Sequence, residues 1–262
     1  MSDKRVTLSI EKGIATVTLN RADKHNALDM AMFEGIAATI RQLKRVVGLR
    51  VVIVQGAGES FCSGLDVQSV MSNRRNGFRL LWKWWPTQAN LAQQVTIGWR
   101  QLKVPVIMVL HGNCWGGGMQ IALGGDFRVA APDTSLSIME AKWGLIPDMG
   151  GTVALSELVS VDHAMKLAMT ARPFSAANAL ELRLVTKVTD SPMTYAQQLA
   201  NQLIERSPDT NRLIKRMYHD IWCSKVGKIL AKETWNQWKI LLGKNQKVAV
   251  KNALSNEKRD FF

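Results

Sequence analysis

An α/β core followed by a helical C-terminal part is the fold class that this sequence predicts, on three observations. Apolar runs and two-residue alternations that read as strands recur, with helix-length segments between them, as far as Gly151. Beyond Gly151 only Val185–Val188 keeps a strand signature, and segments of helical spacing take over. With 262 residues, 47% of them hydrophobic, the chain suits one large domain or a core with a small appendage. Alternating elements and then helices alone describe a sheet layered with helices plus a helical extension.

The elements follow in chain order. Arg5–Ile10 and Ile14–Asn20 alternate around Lys12-Gly13 and read as a hairpin. Asp29 is placed to cap a helix running to about Val46, because Phe33, Ile36, Ile40 and Leu43 recur at helical spacing. Val51–Gln55 reads as a buried strand, and the turn Phe61-Cys62-Ser63-Gly64-Leu65-Asp66 comes after it. Met71–Arg100 is the least regular stretch and holds Trp82, Trp84, Trp85 and Pro86. Val104–Leu110 is a further strand; Gly116-Gly117-Gly118 then opens the helix-like Met119–Leu123. Asp126–Ala131 and Ser135–Met139 read as short strands about an Ala-Pro-Asp turn. Helices are expected at Val161–Thr170, Ser175–Leu182, Ala196–Arg206, Asn211–Trp222 and Lys225–Leu242.

The two glycine turns carry the chemistry. N–H groups at a helix N-terminus have no intrahelical acceptor and sit at the positive end of the helix dipole. Aimed together at a developing enolate oxygen, two such donors form an oxyanion hole. The turns are preceded by Asn20-Arg21-Ala22-Asp23-Lys24-His25-Asn26-Ala27-Leu28 and followed by Trp143-Gly144-Leu145-Ile146-Pro147-Asp148-Met149-Gly150-Gly151-Thr152. In that order the four motifs resemble the enoyl-CoA hydratase/isomerase (crotonase) superfamily over essentially the whole chain. The resemblance implies a crotonase-like spiral of ββα units with the acyl-CoA site in residues 1–195. It implies a C-terminal helical oligomerisation region in residues 196–262, assembling a homotrimer or hexamer. It also implies an acyl-CoA substrate with no metal and no separate cofactor, coenzyme A being part of the substrate.

Residue by residue, the family's two N–H donors carry over to Ser63 and Gly117. Losing one well-placed donor costs ~3–4 kcal/mol of transition-state stabilisation. The family's two acid/base positions match Gln120 and Glu140. Gln120 cannot exchange a proton at neutral pH, whereas hydratases of the family use two glutamates. Asp148, eight residues beyond Glu140, falls where dienoyl-CoA isomerases carry a catalytic aspartate. One carboxylate abstracting a proton and the other returning it at a distant carbon would shift a double bond. Desolvation in an apolar cavity raises such a carboxylate toward neutrality. Dienoyl-CoA isomerases also carry an acid at the Gln120 position, so the chain matches neither set fully. The reading slightly prefers an isomerase-like double-bond shift. A 2-enoyl-CoA hydratase in which Gln120 orients water is the alternative. Outside enzymes stand an inert CoA-ester binder and an RNA-binding homologue, whose basic comb would be Arg41, Lys44, Arg45 and Arg50.

For substrate binding the resemblance points to Lys24, His25 and Ala27 against the nucleotide and pantetheine. It places Leu65 and Asp66 by the adenine, and Gln120 and Trp115 at the acyl end. Trp82, Trp84 and Trp85 fall in the family's variable segment, as a wall of the acyl pocket or as an interface or core cluster. Lys247 and Lys251 are candidates for CoA phosphates. His111 and His163 have no triad partner in the sequence and read as structural.

A net charge of +13 attracts coenzyme A phosphates and nucleic acid alike, and residues 201–262 hold 13 basic against 6 acidic residues. Nucleic acid is not the expected partner. Three cysteines, Cys62, Cys114 and Cys223, show no metal-ligand spacing and read as free thiols packed in the fold. Met1–Arg5 leads into strand alternation without the apolar stretch of a secretory signal, and no apolar run approaches the roughly 18–20 residues of a membrane span. A cytoplasmic location without membrane insertion is therefore expected.

Overall fold

Lys12 and Gly13 both take left-handed backbone, φ +48° and +80°, the geometry of a tight hairpin turn. They fold β1 (Val6–Glu11) back antiparallel on β2 (Ile14–Leu19). The computed structural model describes residues 4–85, 88–221, 243–245, 247–248 and 259–262. After the hairpin the chain crosses over through α1 (Met30–Leu43), capped by Asp29 accepting the Met32 N–H at 2.8 Å. It returns as β3 (Val51–Gly56), parallel to β2.

The stretch read as irregular is helical. It holds α2 (Val67–Met71), α3 (Arg74–Leu81) and α4 (Leu91–Arg100). A capping box between Asn90 and Gln93 starts α4. Gly98 then lets α4 approach α1, since a Cβ there would meet Ile40 Cδ1 at 2.9 Å. Next come β4 (Val106–Leu110), β5 (Asn113–Trp115), α5 (Gly117–Leu123), β6 (Phe127–Ala130) and β7 (Ser135–Ser137). The second half contains α6 (Gly151–Leu158), α7 (Val161–Thr170), β8 (Phe174–Ser175) and α8 (Ala176–Glu181). It continues with β9 (Lys187–Val188), α9 (Pro192–Ile204) and α10 (Pro208–Ile221). The expected Lys225–Leu242 helix, Cys223 and Lys251 lie outside the described residues.

Six strands form one sheet in the order β1-β2-β3-β4-β6-β9, parallel after the first pair. A three-stranded sheet, β5-β7-β8, stands apart. Strands β3 and β4 are buried on both faces, which explains their unbroken apolar runs. Alternate residues part company: Val52, Val54, Met108 and Leu110 join Phe33, Ile36 and Trp99 in the main core. Val51, Ile53, Ile107 and Val109 meet Ala196 and Ala200 of α9 on the other face. Among the described residues no helix is long and apolar enough to cross a membrane.

Candidate active site

The site begins where β3 and β4 end. Beyond β3 the chain pairs with the segment entering β5: Phe61 N–H reaches His111 O at 2.9 Å, and Cys62 N–H reaches Asn113 O at 2.9 Å. That pairing sets the two glycine turns side by side. Gly64 has φ +94°, and a Cβ on it would lie 2.8 Å from Trp115 O and 3.5 Å from Gly117 N. Only glycine permits this approach without displacing the neighbouring backbone.

Which N–H groups remain free follows from the pairing. Ser63 is not one of them: its N–H is donated to His25 O at 2.9 Å. This corrects the sequence expectation. Leu28 instead brackets Leu65 as a parallel bridge, its N–H on Gly64 O at 2.8 Å and its carbonyl accepting from Asp66 N–H at 3.1 Å. A bridge of that kind turns the Leu65 N–H away from Leu28, and it meets no acceptor among the described residues. Gly116 gives its N–H to Ser137 O at 2.8 Å, while Gly117, first residue of α5, has no acceptor among the described residues. Leu65 and Gly117 line the same cavity, of about 490 Å³.

The cavity wall is apolar, with Phe33, Val70, Leu80, Trp115, Met139 and Met149 contributing, and Ser63, Lys142, Glu140 and Asp148 as its polar side chains. Glu140 opens a short 3-10 turn after β7. Its Oε1 accepts a hydrogen bond from Gln120 Nε2, and its Oε2 is buried with no partner among the described residues. Desolvation raises the Glu140 carboxyl; the Gln120 bond works against that, and the charge of Asp148 adds to it. Asp148 sits at the exposed lip of the cavity, and desolvation raises its carboxyl as well.

Gln120 is buried at 1% exposure and does not line the cavity. Its Oε1 accepts from Met149 N–H at 2.9 Å and Gly151 N–H at 3.2 Å. The expected substrate contact is thus replaced by an internal role.

Lys24, His25, Ala27 and Asp66 do not line the cavity either. The first three lie in the loop before α1, and Asp66 caps α2. Lys24 is exposed, and left-handed His25 holds Ser60 Oγ through Nδ1 at 3.1 Å. Arg21, which the sequence reading passed over, donates to Ala27 O at 3.0 Å and to Asp66 Oδ2 at 2.8 Å. Partial burial works to raise the Asp66 carboxyl; the Ser69 N–H, Arg21 and Lys24 outweigh it and hold it below its ordinary value. Buried Asn26 staples the same loop to Ala57 O and Ser60 O at 2.9 and 2.7 Å. Both residues stand inside the quoted motif, which is the only signal that marked them.

Trp115 lines the cavity as expected, its Nε1 donating to Ser135 Oγ at 3.0 Å. Trp82, Trp84 and Trp85 do not line it. The wall on that side comes from Gly77, Leu80 and Leu81 of α3, while Trp82 stacks on Phe78 with ring centroids 4.8 Å apart on an exposed surface. His111 binds Gly58 O at 3.0 Å, and exposed His163 binds Ser160 Oγ at 2.8 Å, both away from the cavity. Cys62 and Cys114 are fully buried; desolvation pushes the Cys62 thiol to about 12 and raises Cys114 too, so neither is poised as a nucleophile. Of the basic comb, Arg41 alone lies within α1, and Arg50 is spent on Ile204 O and Arg206 O at 2.9 and 2.5 Å. Lys247 lines a separate hollow with Lys244 and Arg259.

The family profile described as enoyl-CoA hydratase/isomerase matches residues 9–260. An Escherichia coli protein, 1,2-epoxyphenylacetyl-CoA isomerase, is 32% identical over 219 residues, 79% of each chain. The short-chain-enoyl-CoA hydratase of Clostridium acetobutylicum is 30% identical over 224 residues, covering 82% of this chain and 81% of its own. The crystal structure of an enoyl-CoA hydratase from Bacillus anthracis superposes with a TM-score of 0.88 at 25% identity, covering 98% of both chains.

Proposed function

The chain belongs to the enoyl-CoA hydratase/isomerase family, and on that premise we propose that it shifts a double bond in an acyl-CoA thioester by proton transfer through Glu140 and Asp148. One observation carries the reading. Glu140, whose buried Oε2 has no partner among the described residues, lines one apolar cavity with Leu65 and Gly117, whose N–H groups meet no acceptor among those residues. A buried unpaired acceptor costs about 1–3 kcal/mol, more when charged, so leaving one in place is a price that chemistry explains.

In the proposed step the thioester oxygen sits between the Leu65 and Gly117 N–H groups. Glu140 Oε2 takes a proton from carbon next to the carbonyl or conjugated with it. The electron pair of the broken C–H bond forms a new C=C bond as the carbonyl π pair moves onto oxygen, where the two donors stabilise it. Collapse of the enolate then draws a proton from a carboxylic acid onto the other end of the conjugated system, with Asp148 at the lip as the second carboxyl available, and exchange with solvent afterwards returns the proton of Glu140 and restores that of Asp148. Over a cycle one proton is removed and one returned, so no co-reactant is consumed. Hydration asks for two groups on one water; the Gln120 oxygen is already held by Met149 and Gly151, which favours isomerisation over the hydratase reading. Residues 196–262 are read as the oligomerisation region. An exposed apolar row at helical spacing on α7, Val161, Met165 and Met169, offers a further surface for assembly.

The test is deuterium incorporation from heavy water into a panel of enoyl- and dienoyl-CoAs, followed by mass spectrometry, for wild type, Glu140→Gln and Asp148→Asn. Exchange and double-bond movement in wild type, lost in Glu140→Gln by 10²-fold or more, are expected. A mass gain of one water would replace isomerase by hydratase. Binding without exchange on any thioester would leave an inert CoA-ester binder.

A further inference from the structure

The geometry points to Gln120 as a positioning residue, one that fixes the spacing of Glu140 and Asp148 by tying the carboxylate of the first to the backbone that carries the second. This rests on the proton-transfer reading above. Three bonds make the tie. Gln120 Nε2 donates to Glu140 Oε1, and Gln120 Oε1 accepts from Met149 N–H at 2.9 Å and Gly151 N–H at 3.2 Å. Met149 directly follows Asp148, and Gly151 is the first residue of α6. The amide is itself held: Gln120 lies within fully buried α5, and a Cβ on Gly151 would stand 3.0 Å from Gln120 Cγ.

An amide suits the position. It accepts two backbone N–H groups with one atom and donates to a carboxylate with another, and unlike a glutamic acid it does so at any pH without a proton to lose. A glutamate there would keep the acceptor but set a second carboxyl beside Glu140. A methionine would keep the shape and supply neither group. The amide oxygen also lies at the positive end of α6, and polarisation through the amide strengthens its donated bond. Glu140 is left with one oxygen held and the other free, so the proton is taken at Oε2 from a fixed position. Gln120 thus acts on the reaction without touching the substrate.

The experiment compares wild type, Gln120→Met and Gln120→Glu in the full chain. One readout is the pH profile of kcat and KM with the best thioester from the exchange panel. The other is carbon-13 NMR titration of the glutamate side-chain carboxyls, with Glu140 assigned from Glu140→Gln. For both variants kcat is expected to fall about 10²-fold, as a ~1 Å misplacement of reacting groups does, with KM within about two-fold because Gln120 is not part of the cavity wall. The acidic limb of kcat/KM and the Glu140 titration should both move to higher pH. Methionine removes the donor that favours the carboxylate, and glutamate adds a like charge. A Glu140 titration that stays in place, or a loss of kcat that follows only the folded fraction, would overturn the proposal. Gln120→Glu keeps the acceptor for Met149 and Gly151, so it serves where Gln120→Met does not fold. Absence of turnover in wild type on every thioester would count against the isomerase reading, while the NMR titration still decides the role of Gln120.

Discussion

Leu65 and Glu140 show how single atoms acquire a task from what their neighbours have already taken. The N–H of Leu65 meets no acceptor among the described residues because Leu28 bonds to the residues on either side of it, and Glu140 has Oε1 held by Gln120 while Oε2 has no partner among those residues. A freely solvated carboxylate would have no such oxygen, and the fold bears the cost of this one. With its folded pKa raised above the unfolded value, Glu140 lowers stability wherever it is ionised, and that cost disappears as pH falls through the raised value. Glu140→Gln is therefore expected to unfold later than wild type at pH 8, by roughly 2–4 °C per kcal/mol recovered in a chain of this size. The difference should shrink on acidification, and thermal scans at pH 8 and pH 5 check it. An unchanged or lower Tm at pH 8 would show that the desolvated charge costs the fold nothing.

At the scale of elements, the seam between the two glycine turns decides whether the donors converge. Gly64→Ala would strain a backbone at φ +94° and press a methyl against Trp115 O. Misplacing one donor in this way is expected to lower kcat by ~10²–10³-fold, more than it lowers the folded fraction, as circular dichroism beside turnover would show. The turns and the β3 and β4 strands were legible because glycine clusters and apolar runs are local signals, whereas Glu140 was marked only by the family resemblance. The free N–H falls on Leu65 instead of the expected Ser63 because of the bridge from Leu28, a pairing that the sequence does not show. The Gln120 tie was hidden for a related reason: Met149 and Gly151 lie 29 and 31 residues away. The segment 71–100 looked irregular because Trp and Gly blur the helical period, although Asn90 and Gln93 already spelled a capping box.

For the whole molecule, α10 is fastened to the sheet by a buried ionic clamp. Asp126, the residue before β6, accepts from Lys215 of α10 at 2.8 Å and from the Val106 N–H at 2.7 Å, and His219 lies 2.9 Å from its other oxygen. Lys215 also donates to Val104 O at 2.9 Å and Trp99 O at 3.3 Å. Burial acts to raise the Asp126 carboxyl, but Lys215 and His219 outweigh it and hold it low. Removing one side, as in Asp126→Asn, leaves the Lys215 ammonium buried without its counter-charge. A loss of about 3–5 kcal/mol is expected, read as a lower midpoint in urea unfolding, and a change under about 1 kcal/mol would mean that α10 is held by packing instead. The expected helices over 196–206 and 211–222 appear as α9 and α10; apolar packing joins α9 to the sheet, and a charge pair that no hydrophobic periodicity announces joins α10.

The bridge between Cys62 and Cys114 places two thiols directly behind the paired turns, sealed from solvent. An alkylating reagent can reach them only when the seam parts. Their rate of modification, followed peptide by peptide, is therefore a clock for how often the oxyanion site comes apart, and it runs with no substrate present.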